Sequence, residues 1–248
     1  MRPSADPALR QLTPDAIVRS LQRGWSLFSQ TRQLSVSYAM LFAVIGAVIL
    51  IGIVRASFAP LVVPLTGSLL FVGAVLLTGY FALADKAAQG GDVGFADVVR
   101  AYARSSAGML AIAAVSTLLF IVWVVDVATL YGYVVGRVPR QFISYVGLSE
   151  QGSAIVILSS LLAAALPLLI FSVSAFSVPL LYYRRAGAMQ AVRLSVRAVS
   201  KNLVVSLLWA LMLSFSIVVS IVIFPLILLT FPVMAFASHA LYREIFPD

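Results

Sequence analysis

The chain has 248 residues, 62% hydrophobic and only 10% charged, with a formal net charge of +8. Soluble domains carry roughly 45–50% apolar and about 25% charged residues, so these few charges cannot cover a water-soluble globule this apolar. The absence of cysteine excludes disulfides, thiolate metal sites, iron–sulfur clusters and cysteine nucleophiles. The single histidine excludes a bis-histidine haem or a His-rich metal centre built by this chain alone.

Residues 1–33 hold Arg2, Arg10, Arg19, Arg23 and Arg32 and no apolar run resembling a signal-peptide core. They read as a cytoplasmic segment containing an amphipathic helix. Thr13 is placed to cap it, Pro14 suits its first turn and Asp15 favours its dipole. Ile17, Leu21, Trp25 and Phe28 make its apolar stripe. Residues 34–246 read as one membrane domain with spans at about 34–54, 59–84, 108–131, 154–181, 203–223 and 226–243, since roughly 20 residues at 1.5 Å each cross a bilayer core. The run 203–242 carries no charge except His239 and is twice the length of one span. Phe224-Pro225 at its midpoint divides it, because proline removes a helical donor and disfavours helix at the preceding residue.

Orientation follows from the basic residues. Fourteen of the seventeen fall in the N-terminal segment, the second and fourth loops and Arg243; only Arg55, Arg137 and Arg140 fall on the other side. The positive-inside rule makes both termini cytoplasmic. Arginines beside membrane spans favour anionic headgroups by about 1 kcal/mol each, so lipid rather than nucleic acid is the expected partner.

The basic segments repeat. Val18-Arg19 precedes Arg23, Val99-Arg100 precedes Arg104, and Val192-Arg193 precedes Arg197, each just before an odd-numbered span. In the second copy Phe95, Val98, Val99 and Tyr102 form an apolar stripe opposite Asp97, Arg100 and Arg104. In the third, Met189, Val192, Val196 and Val199 oppose Arg193, Arg197 and Ser200. The fold class is therefore all-α: a polytopic transmembrane bundle of six helices in three hairpins, each preceded by an amphipathic cytoplasmic helix. The three arginine pairs are candidate contacts for lipid headgroups or a partner protein.

Arg23-Gly24-Trp25 with Phe28 and Tyr38 resembles the start of a bacterial family of predicted integral membrane proteins, domain of unknown function 2189. Residues 171–174 and 178–181, residues 195–199 with Asn202, and the close from Pro232 to Arg243 resemble the same family. The resemblance runs from about residue 17 to 246 and is most specific over the last 75 residues. It implies a six-span fold and no particular activity. The family pattern has two histidines four residues apart in the last span. Here those positions are Phe236 and Ala240, and His239 stands where the family tends to have tryptophan, so no haem or metal site follows.

No G-x-S-x-G, Walker loop, H-E-x-x-H or paired carboxylates are present, so no enzyme activity, metal or cofactor is expected. Arg55 ends a span and snorkels outward, and Asp126 reaches the outer interface near Arg137 and Arg140. His239, one turn before Arg243, reads as an interfacial histidine or, less simply, a proton or ligand site. Pro167 and Pro179 bracket Ser172, Ser174 and Ser177, so Ser172 and Ser177 mark a possible polar site in a kinked fourth span. Ala39, Ala43 and Ala47, and Ser206, Ala210 and Ser214, repeat small residues every four and suit close helix packing. The leading expectation is a non-enzymatic inner-membrane accessory or scaffold subunit, associating with another membrane protein or with itself. The alternative is a carrier or channel for a lipid or small apolar solute.

Overall fold

A computed structural model describes residues 9–55, 77–91, 93–103, 106–137, 161 and 165–247. Among these residues the regular structure is helical and no strand occurs. In chain order the helices are α1 Asp15–Gln30, α2 Arg32–Arg55, α3 at 77–88, α4 Phe95–Ala103 and α5 Ala107–Arg137. There follow α6 at 165–174, α7 Ser177–Tyr182, α8 Ala188–Lys201, α9 Leu203–Val222 and α10 Ile227–Ile245.

The start of each expected repeat, an amphipathic helix followed by an apolar one, is visible as three right-angled helix pairs; the arrangement in three hairpins is not shown among the described residues. α1 turns into α2 by 96°, α4 into α5 by 87° and α8 into α9 by 101°. A short polar residue sits at each corner. Thr31 Oγ1 donates to Leu27 O at 2.8 Å and lies 2.8 Å from Ser35 Oγ. Ser106 Oγ accepts from Met109 N at 3.2 Å, as an N-cap side chain does. Asn202 Nδ2 donates to Ala198 O at 3.1 Å. Helix ends leave backbone groups without intrahelical partners, and these side chains take up some of them, letting one helix stop and the next begin within one to three residues. At the start of α1, Thr13 contributes its carbonyl, accepting from Ala16 N at 2.9 Å, and no side chain caps the helix. Pro14 takes the capping position expected of Thr13.

Where the sequence divides 203–242 at Phe224-Pro225, α9 and α10 are separated by a 3-10 turn, Phe224–Leu226. They lie side by side, with Ser220 Oγ 2.6 Å from Thr230 Oγ1. Among the described residues one stretch, Ala165–Tyr182, is by itself long and apolar enough to cross a membrane, and each bent pair qualifies when its two limbs are taken together. That makes up to four crossings where the sequence suggests six. Residues 56–76 and 138–160 lie outside the described residues.

The apolar limbs face outward with their large side chains. Val44, Val48 and Ile51 of α2, Leu118 and Val122 of α5, and Leu211, Phe215 and Ile217 of α9 are all exposed, the arrangement expected where lipid is the solvent. The core lies instead at the corner end of the bundle. Ile17 of α1, Phe81 of α3, Met109 of α5, Leu180 of α7, Leu194 of α8, Trp209 of α9 and Leu241 of α10 share one buried cluster. Phe28, Tyr38, Tyr80, Val98 and Phe236 share another.

The corner helices bury only part of the stripes read from their hydropathy: Ile17, Phe28, Val98 and Val199 turn inward, but other stripe residues do not. α1 turns Ala16, Ile17, Ser20, Gly24 and Phe28 inward, leaving Leu21 half-buried and Trp25 54% exposed. α4 buries Val98 and Ala101 and exposes Phe95 and Val99. α8 buries Ala191, Leu194, Ser195, Ala198 and Val199 and exposes Met189 and Val196. The reason is close approach. α1 meets α10 through its smallest residues, and a Cβ at Gly24 would lie 2.8 Å from both Ala237 N and Val233 O.

The break between α6 and α7 also has a specific cause. Ser195 of α8 inserts its hydroxyl into the helical ladder, accepting from Phe176 N at 3.1 Å and donating to Ser172 O at 2.7 Å. A side chain inserted into the i→i−4 ladder is a recognised source of kinks. Pro179 adds to it by withholding its own donor.

Candidate functional site

The last two turns of α10 carry His239, Arg243 and Glu244. Helical geometry puts His239 and Arg243 on one face and Glu244 about 100° round from Arg243. Each face gathers partners from a distant part of the chain.

On the first face, Asp85 from α3 and Tyr183 just after α7 complete a polar cluster. Tyr183 Oη is 2.9 Å from both carboxylate oxygens of Asp85 and 2.8 Å from His239 Nε2. Arg243 Nη2 donates to Asp85 Oδ1 at 3.2 Å, and its guanidinium lies 5.0 Å from the Tyr183 ring centroid. Tyr183 has one proton and an ionised carboxylate can only accept. The consistent assignment has Tyr183 donating to Asp85 while its oxygen accepts from His239 Nε2–H. Burial pushes the Asp85 carboxyl up, but His239, Tyr183 and Arg243 outweigh it and hold Asp85 below the usual carboxylate range. Burial, reinforced by the Asp85 charge, pushes the Tyr183 phenol up, so it stays a donor.

Tyr183 is held by an unusual helix end. Arg184 adopts φ 52°; Arg184 N donates to Leu181 O at 3.1 Å and Arg185 N to Leu180 O at 2.9 Å. This is a Schellman-type ending with arginine where glycine is the usual residue. It aims Arg185 at the carbonyls just after α10, with donation to Phe246 O at 2.8 Å and Pro247 O at 2.7 Å.

On the second face, Glu244 takes two arginines of α1. Arg19 grips it with both prongs, Nε to Oε1 at 3.2 Å and Nη2 to Oε2 at 2.9 Å; Arg23 Nη1 reaches Oε1 at 3.2 Å. That hydrogen bond holds the Arg19 guanidinium above its ordinary pKa. The N-terminal segment is sewn across the same end: Arg10 N donates to Ile245 O at 3.0 Å and Leu12 N to Asn202 Oδ1 at 2.7 Å. A cleft of about 540 Å³ results, lined by Arg10, Arg19, Arg23, Arg243 and Glu244 together with Gln11, Leu12 and Thr13.

The other expected residues fall as follows. Arg100 lies 3.4 Å from Asp97, which is also bound by Lys86 Nζ at 2.7 Å; Lys86 and the Gly94 amide hold the Asp97 carboxyl below its usual range. Arg193 and Arg197 are exposed on α8. Arg104 lies outside the described residues, as do the side chains of Arg55 and Asp126. Ala39 and Ala43 are buried, as is Ser206, while Ala47 and Ala210 are half-buried and Ser214 is exposed. Ser172 donates to Leu168 O at 2.7 Å within α6, and Ser177 at the start of α7 donates to Val173 O of α6, so both hydroxyls are engaged by backbone carbonyls four residues earlier. His239 is buried in the cluster, with its Nε2 satisfied by Tyr183.

Asp85, Tyr183, Glu244 and Arg10 are the participants that sequence reasoning passed over. Asp85 and Glu244 are two of only nine acidic residues, and both abut an apolar run. That position is the signal that could have singled them out.

Residues 62–182 match the model of a family described as "Predicted integral membrane protein (DUF2189)". This is the family the sequence resembles. The match takes in just under half of the chain and includes the motifs at 171–174 and 178–181. Those at 23–25, 195–199 and 232–243 fall outside it, so the expected extent of 17 to 246 is not reached and the matched part is the middle rather than the end. Neither a curated protein nor a solved structure matches the chain. Residues 62–182 thus resemble a family of predicted integral membrane proteins, and the outward apolar faces of α2, α5 and α9 agree with that likeness.

Proposed function

We propose that this is a non-enzymatic, six-span protein of the bacterial inner membrane, acting as an accessory or scaffold subunit that organises a membrane complex. Both termini are cytoplasmic, and α1, α4 and α8 form a collar at the level of the lipid headgroups. One observation carries the reading. Each collar helix stands nearly at right angles to the apolar helix after it and exposes large apolar side chains beside its arginines: Val18 and Trp25, Phe95 and Val99, Met189 and Val196. An amphipathic helix in that attitude lies in the interface with its apolar residues among the acyl chains and its arginines among anionic headgroups. α2, α5 and α9, at 1.5 Å per residue, are about 36, 46 and 30 Å long, against a hydrocarbon core of about 30 Å.

The alternative, a carrier for a lipid or small apolar solute, draws support from a groove of about 260 Å³ lined by Leu77, Leu213, Ile217, Phe231 and Met234. It draws none from Ser172 and Ser177.

The test is gentle purification of the native protein with mass spectrometry of what accompanies it. A stoichiometric membrane partner, lost on charge reversal at Arg100, Arg104, Arg193 and Arg197, is the expected result. Recovery without any partner protein would overturn the scaffold reading, and a bound lipid lost on substitution of Leu213 or Phe231 in the groove would favour the carrier.

A further inference from the structure

We propose that the cleft between the N-terminal segment, α1 and the end of α10 binds a phosphate-bearing anion, supplied by the headgroup of an anionic glycerophospholipid. Arg10, Arg19, Arg23 and Arg243 line it with Glu244; Arg243 is already paired with Asp85, which leaves the guanidiniums of Arg10, Arg19 and Arg23 against the single carboxylate of Glu244. Like charges gathered in one concavity repel, and a cleft with one sign of charge in excess concentrates counter-ions. Glu244 offsets part of that repulsion and holds Arg19 and Arg23 in place, but its two oxygens engage only two of the Arg19 donors and one of the Arg23 donors. A guanidinium has five N–H donors, so donors beyond those three are available to a second oxyanion, and the arginine fork matches phosphate as it matches carboxylate.

The cleft is also built. Ordering an extended segment costs roughly 1–2 kcal/mol per residue, and here residues 10–12 are fastened at both edges. Arg10 N bonds to Ile245 O and Asn202 Nδ2 to Arg10 O, while Leu12 N bonds to Asn202 Oδ1. These contacts use the backbone of Arg10 and leave its exposed side chain at the cleft. The position is right for a headgroup if α1 lies in the interface, so the inference rests on the collar reading.

The experiment uses the full-length protein in detergent micelles, with native mass spectrometry across a titration of short-chain phosphatidylglycerol, short-chain phosphatidylcholine and inorganic phosphate. Phosphatidylglycerol is expected to bind saturably with one molecule per protein. Arg10→Gln should weaken it about fivefold, equivalent to the roughly 1 kcal/mol an arginine contributes at an anionic headgroup, and Glu244→Gln should tighten it by freeing Arg19 and Arg23. The control is Arg193→Gln/Arg197→Gln, whose side chains do not line the cleft. If the control weakens binding as much as Arg10→Gln, lipid adheres to the whole collar; the cleft is overturned and the collar stands. If neither affects binding, both fall. Inorganic phosphate competing as well as phosphatidylglycerol would overturn the lipid as the source and uphold the anion site, and phosphatidylcholine binding equally well would overturn the charge argument.

Discussion

Gly24 is where α1 comes closest to α10, and replacing it tests the packing most directly. A methyl group there would meet Ala237 N and Val233 O at 2.8 Å and Ala237 Cβ at 2.9 Å, whereas carbon contacts are comfortable at about 3.5–4.0 Å. Two of the three opposing atoms are backbone, so no side chain can swing away. α1 must back off by several tenths of an ångström along its whole contact, loosening the Arg19 and Arg23 grip on Glu244 as it goes. Overpacking of this kind costs about 1–3 kcal/mol. Opposing it, alanine is favoured over glycine in a helix by about 1 kcal/mol, so Gly24→Ala should lose up to about 2 kcal/mol net. Gly46 of α2 supplies the control. A Cβ there meets nothing within 4 Å, so Gly46→Ala carries only the propensity gain. The separation between the two variants is the steric cost itself, about 1–3 kcal/mol. It can be read from denaturant unfolding of both full-length variants in one detergent, followed by helical circular dichroism and by tryptophan fluorescence. A Gly24→Ala protein as stable as Gly46→Ala would refute the close approach of α1 to α10.

Three further outcomes follow from individual contacts. Asp85 is held below its usual range in the folded protein, so its contribution is fully present above about pH 4 and is lost as pH falls through the lowered value. Unfolding midpoints measured from pH 6 to pH 3 should drop for the parent and be flatter for Asp85→Asn; equal slopes would mean the cluster does not hold the carboxylate. Ser195→Ala strands the amide of Phe176 and the carbonyl of Ser172, and should cost about 1–3 kcal/mol in the same unfolding assay; a neutral effect would show that the inserted hydroxyl is dispensable. Arg184→Gly should raise stability by about 1 kcal/mol, because a side chain in the left-handed region costs roughly 1–2 kcal/mol that glycine avoids. A lower melting temperature would show that the Arg184 side chain makes a contact worth more than its backbone strain.

The amino-acid sequence by itself determined what depends on local pattern. The collar helices, the apolar limbs after them and the division at Phe224-Pro225 are all legible, because hydropathic period and proline act over a few residues. The membrane as solvent is legible from the scarcity of charge. Tertiary structure decided which face of each collar helix turns inward. Ala16, Ser20 and Gly24 carry almost no hydropathy signal, yet they form the contact, because small side chains let helix axes approach; Trp25 is left outside for the same reason. It also decided the polar pairings. Arg19 and Glu244 stand 225 positions apart, Asp85 and Arg243 158, and no local pattern predicts such partners. They meet because α1 packs along α10, while the C-terminal ends of α3 and α7 converge on the last turns of α10. There Asp85 is met by Arg243, and Glu244 by Arg19 and Arg23.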